Sequence, residues 1–122
     1  ALRLGVLHPD RFAAISAHSS ITEPAQMRGF VEETETQLDL AEESPLQVLA
    51  CIKMNAHRLP PLRFDCGKDD PLVEHNRHLH AELDRARIKH VYEEFPGAHE
   101  WSYWHGHLAD SLRFFAKQVQ MT

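Results

Sequence analysis

Apolar positions along this chain alternate between helix-like and strand-like spacing, and the changes fall at proline and glycine. Leu2 with Val6 and Leu4 with Leu7 are in helical register from the first residues, and Pro9 ends that segment because its ring cannot continue a helix. "FAAISAH" at 12–18 is a short run of small and β-branched residues, suited to a strand buried on both faces of a parallel sheet. Residues 20–43 have no sustained period and read as loop with a helical turn or two. "SPLQ" at 44–47 is a helix start: Ser44 can cap, Pro45 fits the first position, and Gln47 sits where a capping-box partner belongs. Leu46, Leu49, Ile52 and Ala56 then give one apolar face, which ends before Pro60-Pro61.

"LRFDCG" at 62–67 predicts a second buried strand ending at Gly67. Pro71 opens another helix, with Leu72, Leu79, Leu83 and Ala86 on its inner side, and "HVYEEF" at 90–95 predicts a third strand closed by Pro96-Gly97. The last helix carries Trp101, Trp104, Leu108, Leu112, Phe115 and Val119, spaced 3, 4, 4, 3 and 4. That is an amphipathic stripe, expected to face the core. Regular alternation of helix and strand implies right-handed crossovers and an α/β fold, with parallel strands and helices on both faces. Three strands are few for such a sheet. Together with an opening inside a helix and no initiator Met, this makes 1–122 read as part of a larger single domain. These residues say nothing of a signal peptide upstream. An uncovered sheet edge would invite self-association.

Composition narrows the partners. The formal charge is −5 over 122 residues, against the basic excess that nucleic acid requires. The charge is uneven: between Ser20 and Pro45 stand seven acids (Glu23, Glu32, Glu33, Glu35, Asp39, Glu42, Glu43) and one base, Arg28, the pattern of a solvated surface lobe. No apolar run reaches the ~18 residues that span a bilayer, so no membrane is expected. Cys51 and Cys66 are the only cysteines and form no C-x-x-C pair, which fits two reduced thiols in the cytoplasm.

In open parallel sheets, ligands bind beyond the carboxyl ends of the strands. Two such ends carry suggestive groups here. "DCGKDD" puts Asp69 and Asp70 on the turn beyond Gly67, and "FPGAH" puts His99 beyond the third strand. If those strands are neighbours, a carboxylate and an imidazole emerge side by side. The carboxylate would then fix the ring tautomer and stabilise the imidazolium. Either feature alone is an ordinary turn; the order, acid then histidine, is that of one hydrolase fold.

"ALRLGVLHPDRFAAISAHSS", "LRFDCGKDDPLVEHN" and "FPGAHEWSYWHGHLADSLRFF" resemble the second half of the esterase D-like branch of α/β-hydrolases. That branch holds S-formylglutathione hydrolases, tributyrin-type esterases, feruloyl esterase modules and mycolyl transferases. The resemblance implies a partial α/β-hydrolase fold of three αβα layers. It also implies a serine esterase acting on a small-molecule ester or thioester, with no cofactor and no metal. By the same likeness Asp70 matches the triad acid and His99 the general base, with Asp69 as the competing acid. His18, at the end of the first strand, is implied as a pocket-lining residue, against the plainer reading of a packed strand-end histidine. The G-x-S-x-G nucleophile motif is absent: the residues two beyond the five glycines are Leu7, Val31, Asp69, His99 and Leu108. The resemblance therefore places the serine before Ala1 and leaves this segment inactive alone.

Three other readings compete. One is an acyltransferase of the same fold, and another a noncatalytic relative using the fold for protein contacts. The third is a metal-binding module, for which His75 and His78 share a helix face while His105 and His107, two apart, do not.

Overall fold

A computed structural model describes residues 2–20 and 48–120. The expected acidic loop at 20–43 and the Ser44–Gln47 helix start lie, but for Ser20, outside those residues. In chain order the elements are α1 (Leu2–Leu7), β1 (Ile15–His18), α2 (Val48–Met54), β2 (Leu62–Gly67), α3 (Val73–Arg85), β3 (Val91–Phe95) and α4 (Trp101–Gln120). Single 3-10 turns at Pro9–Arg11 and Ala56–Arg58 end α1 and α2, the first at the expected proline. The three strands form one parallel sheet in the order β1-β2-β3. The α/β architecture predicted from alternation is present, and β2 and β3 are neighbours.

Register sorts the side chains onto two unlike faces. Ile15 pairs with Leu62, and Ala17 with Phe64; because residues paired in a parallel sheet point the same way, these four share one face. They form a single core with Leu2 and Val6 of α1, Val48, Cys51 and Ile52 of α2, and Leu79 and Leu83 of α3. The opposite face carries Ser16 and His18 beside Arg63 and Asp65, and α4 lies on it. Helices thus flank the sheet on both sides. All three expected strands are present; β2 is buried throughout, while β3, at one end of the described sheet, is half-exposed, with Val91 on the surface.

The sequence reading needs correction in the rotation of α4. Its apolar stripe does not face the sheet: Trp101 is 81% exposed, Leu112 59% and Val119 70%. Tyr103 and Ser111 are the buried residues instead, with His107 stacked on Phe95 at 4.2 Å. Positions 103, 107 and 111 repeat every four residues and form a second, polar stripe. It wins because the sheet face beneath presents an arginine, an aspartate and a histidine, and buried polar groups need partners.

Candidate active site

The turns that follow β2 and β3 are laced together beyond the sheet. Lys68 N–H donates to the Phe95 carbonyl and Asp69 N–H to the Gly97 carbonyl, each at 2.9 Å, continuing the parallel pairing past the strand ends. Two glycines permit this closeness. A Cβ on Gly67 would stand 2.3 Å from the Gly97 carbonyl oxygen, so no other residue fits without moving the turn. Gly97 has φ +134, and a Cβ there would meet the Tyr103 ring at 2.7 Å.

That lacing brings Asp70 to His99. Asp70 Oδ2 lies 2.9 Å from His99 Nδ1, and Asp70 Oδ1 accepts the Leu72 backbone N–H at 2.8 Å. The latter is an Asx-type bond that fixes the carboxylate in the turn. The Asp70 side chain is fully buried, and the His99 ring is half-buried. The Trp104 ring meets His99 edge-on, with centroids 4.9 Å apart, so the first turn of α4 braces the histidine loop. Trp101 touches Trp104 but stays in solvent. Asp69 is exposed. Of the two acids left open by the sequence, Asp70 is the one in contact with His99. Chemically, a buried carboxylate accepting Nδ1–H holds the neutral ring in the tautomer whose lone pair is on Nε2.

His18 is the last residue of β1. Its Nδ1 is 2.7 Å from Asp65 Oδ2 and its Nε2 is 2.7 Å from the Ser111 hydroxyl. Both ring nitrogens are thus engaged in the layer between sheet and α4. In the same layer, Arg63 reaches Asp65 Oδ2 at 2.6 Å, Tyr103 donates to Asp65 Oδ1 at 2.6 Å, and the Ser16 and Ser111 hydroxyls meet at 2.6 Å. Burial pushes the Asp65 carboxyl up, but bonds from His18, Tyr103 and Arg63 outweigh it and leave it below the usual carboxylate range. Burial and the Asp65 carboxylate raise the Tyr103 phenol well above its ordinary value. Ser111, His18 and Asp65 run in the order hydroxyl, imidazole, carboxylate. The hydroxyl is buried and shared with Ser16, so this chain of bonds holds two layers together. Sequence reasoning missed it: "LRFDCG" is the buried strand expected, but that reading does not ask what its charged residues would meet. The available signal was charge at alternate positions 63 and 65, opposite Ser16 and His18 in β1.

Cys66 is buried beside Asp70, and burial with the nearby carboxylates pushes its thiol up to about 12. His75 and His78 are both exposed on α3, while His107 pairs with Asp110 at 2.9 Å on its own helix. No helix among the described residues is long and apolar enough to cross a membrane.

Comparison with known proteins adds three kinds of likeness. The chain matches the Esterase family, described as "Putative esterase", over residues 1–115. It is 35% identical over 66 residues to an acetyl esterase of Caldicellulosiruptor saccharolyticus, a stretch covering 54% of this chain and 25% of that protein. Its fold is similar to that of an S-formylglutathione hydrolase of Staphylococcus aureus, with TM-score 0.75, 21% identity, and coverage of 93% of this chain and 45% of that one. A ferulic acid esterase gives TM-score 0.76 at 22% identity, covering 97% and 46% of the two chains. A fluorophosphonate-binding serine hydrolase of Staphylococcus aureus gives 0.78 at 20% identity, covering 93% and 48%. The chain therefore spans a quarter of the curated relative and about half of the solved structures.

Proposed function

Because this chain belongs to the Esterase family, we propose that it supplies the acid and the general base of a serine esterase whose nucleophile lies outside these residues. Asp70 is the acid and His99 the base. The observation that carries the reading is the 2.9 Å contact between a fully buried Asp70 carboxylate and His99 Nδ1 at adjoining strand ends. The serine attacks the carbonyl of a small carboxylic ester or thioester while His99 takes its proton at Nε2. Asp70 stabilises the imidazolium that forms. Backbone N–H groups, also outside this chain, hold the oxyanion. His99 then gives its proton to the departing alkoxide or thiolate, and later activates the water that releases the acid. The 122-residue chain by itself turns nothing over. Two buried cysteines outside any C-x-x-C pair, Cys51 and Cys66, suit a reducing compartment such as the cytoplasm.

The test is turnover of a p-nitrophenyl ester by the intact protein. Asp70→Asn lowers kcat by roughly 10⁴-fold and His99→Ala by up to about 10⁶-fold, each with unchanged far-UV circular dichroism. Asp69→Asn, altering an exposed side chain, stays within about twofold. Near-normal turnover by His99→Ala removes the base and with it the proposal. A large loss in Asp69→Asn alone reassigns the acid.

A further inference from the structure

At the opposite end of the sheet, where β3 begins, three potential ligands converge. His80 and Asp84 lie one turn apart on α3, and His90 is the residue before β3; one donor atom from each lies within 4.8 Å of the others. His80 Nδ1 is 2.7 Å from His90 Nε2, and the Asp84 carboxylate is 3.5 Å from His80 Nε2 and 3.9 Å from His90 Nε2. The local chain path causes this. Helix α3 ends with Arg87 in a left-handed conformation, φ 59, and Ile88 N–H bonded back to the Leu83 carbonyl at 2.9 Å. That is the Schellman reversal. It turns the chain back along the last turn of α3, so that residue 90 comes level with residues 80 and 84.

The outer contacts suit metal ligation. His90 Nδ1 lies 2.8 Å from the Ile88 carbonyl. A carbonyl can only accept, so Nδ1 carries the proton and the lone pair sits on Nε2, facing His80. A backbone carbonyl orienting the far nitrogen is the usual support of a metal-bound histidine. The rings are also held: His80 stacks on Tyr92 at 4.7 Å and His90 on Phe64 at 5.9 Å. His90 is buried, while His80 and Asp84 are open to solvent. The exposed His80 and Asp84 leave the cluster open to an ion from solvent. Two imidazoles and one carboxylate are a donor set for zinc. Two Zn–N bonds in a tetrahedral site need the nitrogens roughly 3.3 Å apart, so binding widens the present pair slightly, by rotation of the more exposed His80.

We propose that His80, Asp84 and His90 form a binding site for a divalent first-row transition ion, zinc foremost, tying the end of α3 to the start of β3. The site is independent of Asp70 and His99, which lie past the far end of β3, roughly 16 Å of strand away.

The experiment titrates the full-length protein with Zn²⁺ by calorimetry and with Co²⁺ by its visible ligand-field absorption. One ion binds per chain, with intensity typical of four-coordinate Co²⁺ that Zn²⁺ displaces. His80→Gln and Asp84→Asn, both at solvent-open positions, each weaken Zn²⁺ about tenfold or more. His75→Gln and His78→Gln, which remove exposed histidines of the same helix, leave it unchanged. Absence of a stoichiometric ion, or an affinity untouched by His80→Gln and Asp84→Asn, overturns the assignment. Esterase turnover is not the readout, so the outcome is separate from that of the proposed reaction.

Discussion

Replacing Asp65 by Asn tests whether the polar layer between sheet and α4 stabilises the fold. The side chain keeps its shape but loses its charge. Its oxygen can still accept from Tyr103, while its new N–H₂ faces Arg63 and His18, both donors at 2.6 and 2.7 Å in the native layer. Arg63 is 2% exposed and retains only Glu93 at 3.3 Å and the Ser16 hydroxyl at 3.3 Å. At an effective dielectric constant near 20, opposite charges at the native separation attract by roughly 6 kcal/mol. Those remaining partners recover part of it. The expected cost is about 3–5 kcal/mol, as for other buried pairs broken on one side, against a total stability of about 5–15 kcal/mol for a domain. Urea unfolding read by Trp fluorescence and far-UV circular dichroism measures it. Should Asp65→Asn fail to fold, the double variant Asp65→Asn with Arg63→Met decides, because it removes both charges while the amide oxygen still accepts from Tyr103, and it should be more stable than Asp65→Asn alone. A cost below about 1 kcal/mol for Asp65→Asn, or a double variant as unstable as the single one, would refute the reasoning.

Gly67→Ala should separate the two turns, since its methyl group would press on the Gly97 carbonyl. Turnover of the intact protein should fall far more than stability does, and unaltered turnover would show the lacing to be dispensable. Cys66 should resist iodoacetamide at about pH 8 until the protein is denatured, because burial holds its thiol at about 12; rapid native-state labelling by mass spectrometry would contradict this. Bonding to Arg77, assisted by Tyr92, lowers Glu94 from the ordinary 4.5 to about 2. A depressed carboxyl stabilises the fold above its unfolded value, and that contribution is lost as pH falls from 4.5 towards 2. Asp65 acts in the same direction. Glu94→Gln should therefore flatten the acid limb of a urea-midpoint profile, and an unchanged limb would rule out this source.

Much of the fold was legible because local chemistry and topology agree. Proline and glycine mark the ends of α1, β2 and β3, and the strands Ile15–His18 and Leu62–Gly67 fall within the segments 12–18 and 62–67 read as strands. The pairing of Asp70 with His99 followed from parallel strands delivering successive turns to one edge. Asp69 against Asp70 was not decidable from a doublet. The Leu72 N–H bond to Asp70 decides which carboxylate turns inward. The facing of α4 was misread because periodicity shows that a helix has an apolar stripe without showing what lies opposite. Here Arg63 and Asp65 drew Tyr103 and Ser111 onto the sheet. The His80–Asp84–His90 cluster was hidden for a related reason: its third member arrives through a left-handed residue at Arg87, a position that no apolar pattern marks.

The central claim is that the Asp70 carboxylate fixes which nitrogen of His99 bears the proton. Long-range ¹H–¹⁵N NMR of the imidazole in the intact protein reads this directly. The neutral His99 ring should carry its proton on Nδ1. In Asp70→Asn the Leu72 N–H keeps the amide oxygen turned away and aims N–H₂ at the ring, so the proton should move to Nε2. A native ring protonated on Nε2, or the same tautomer in both proteins, would contradict the account.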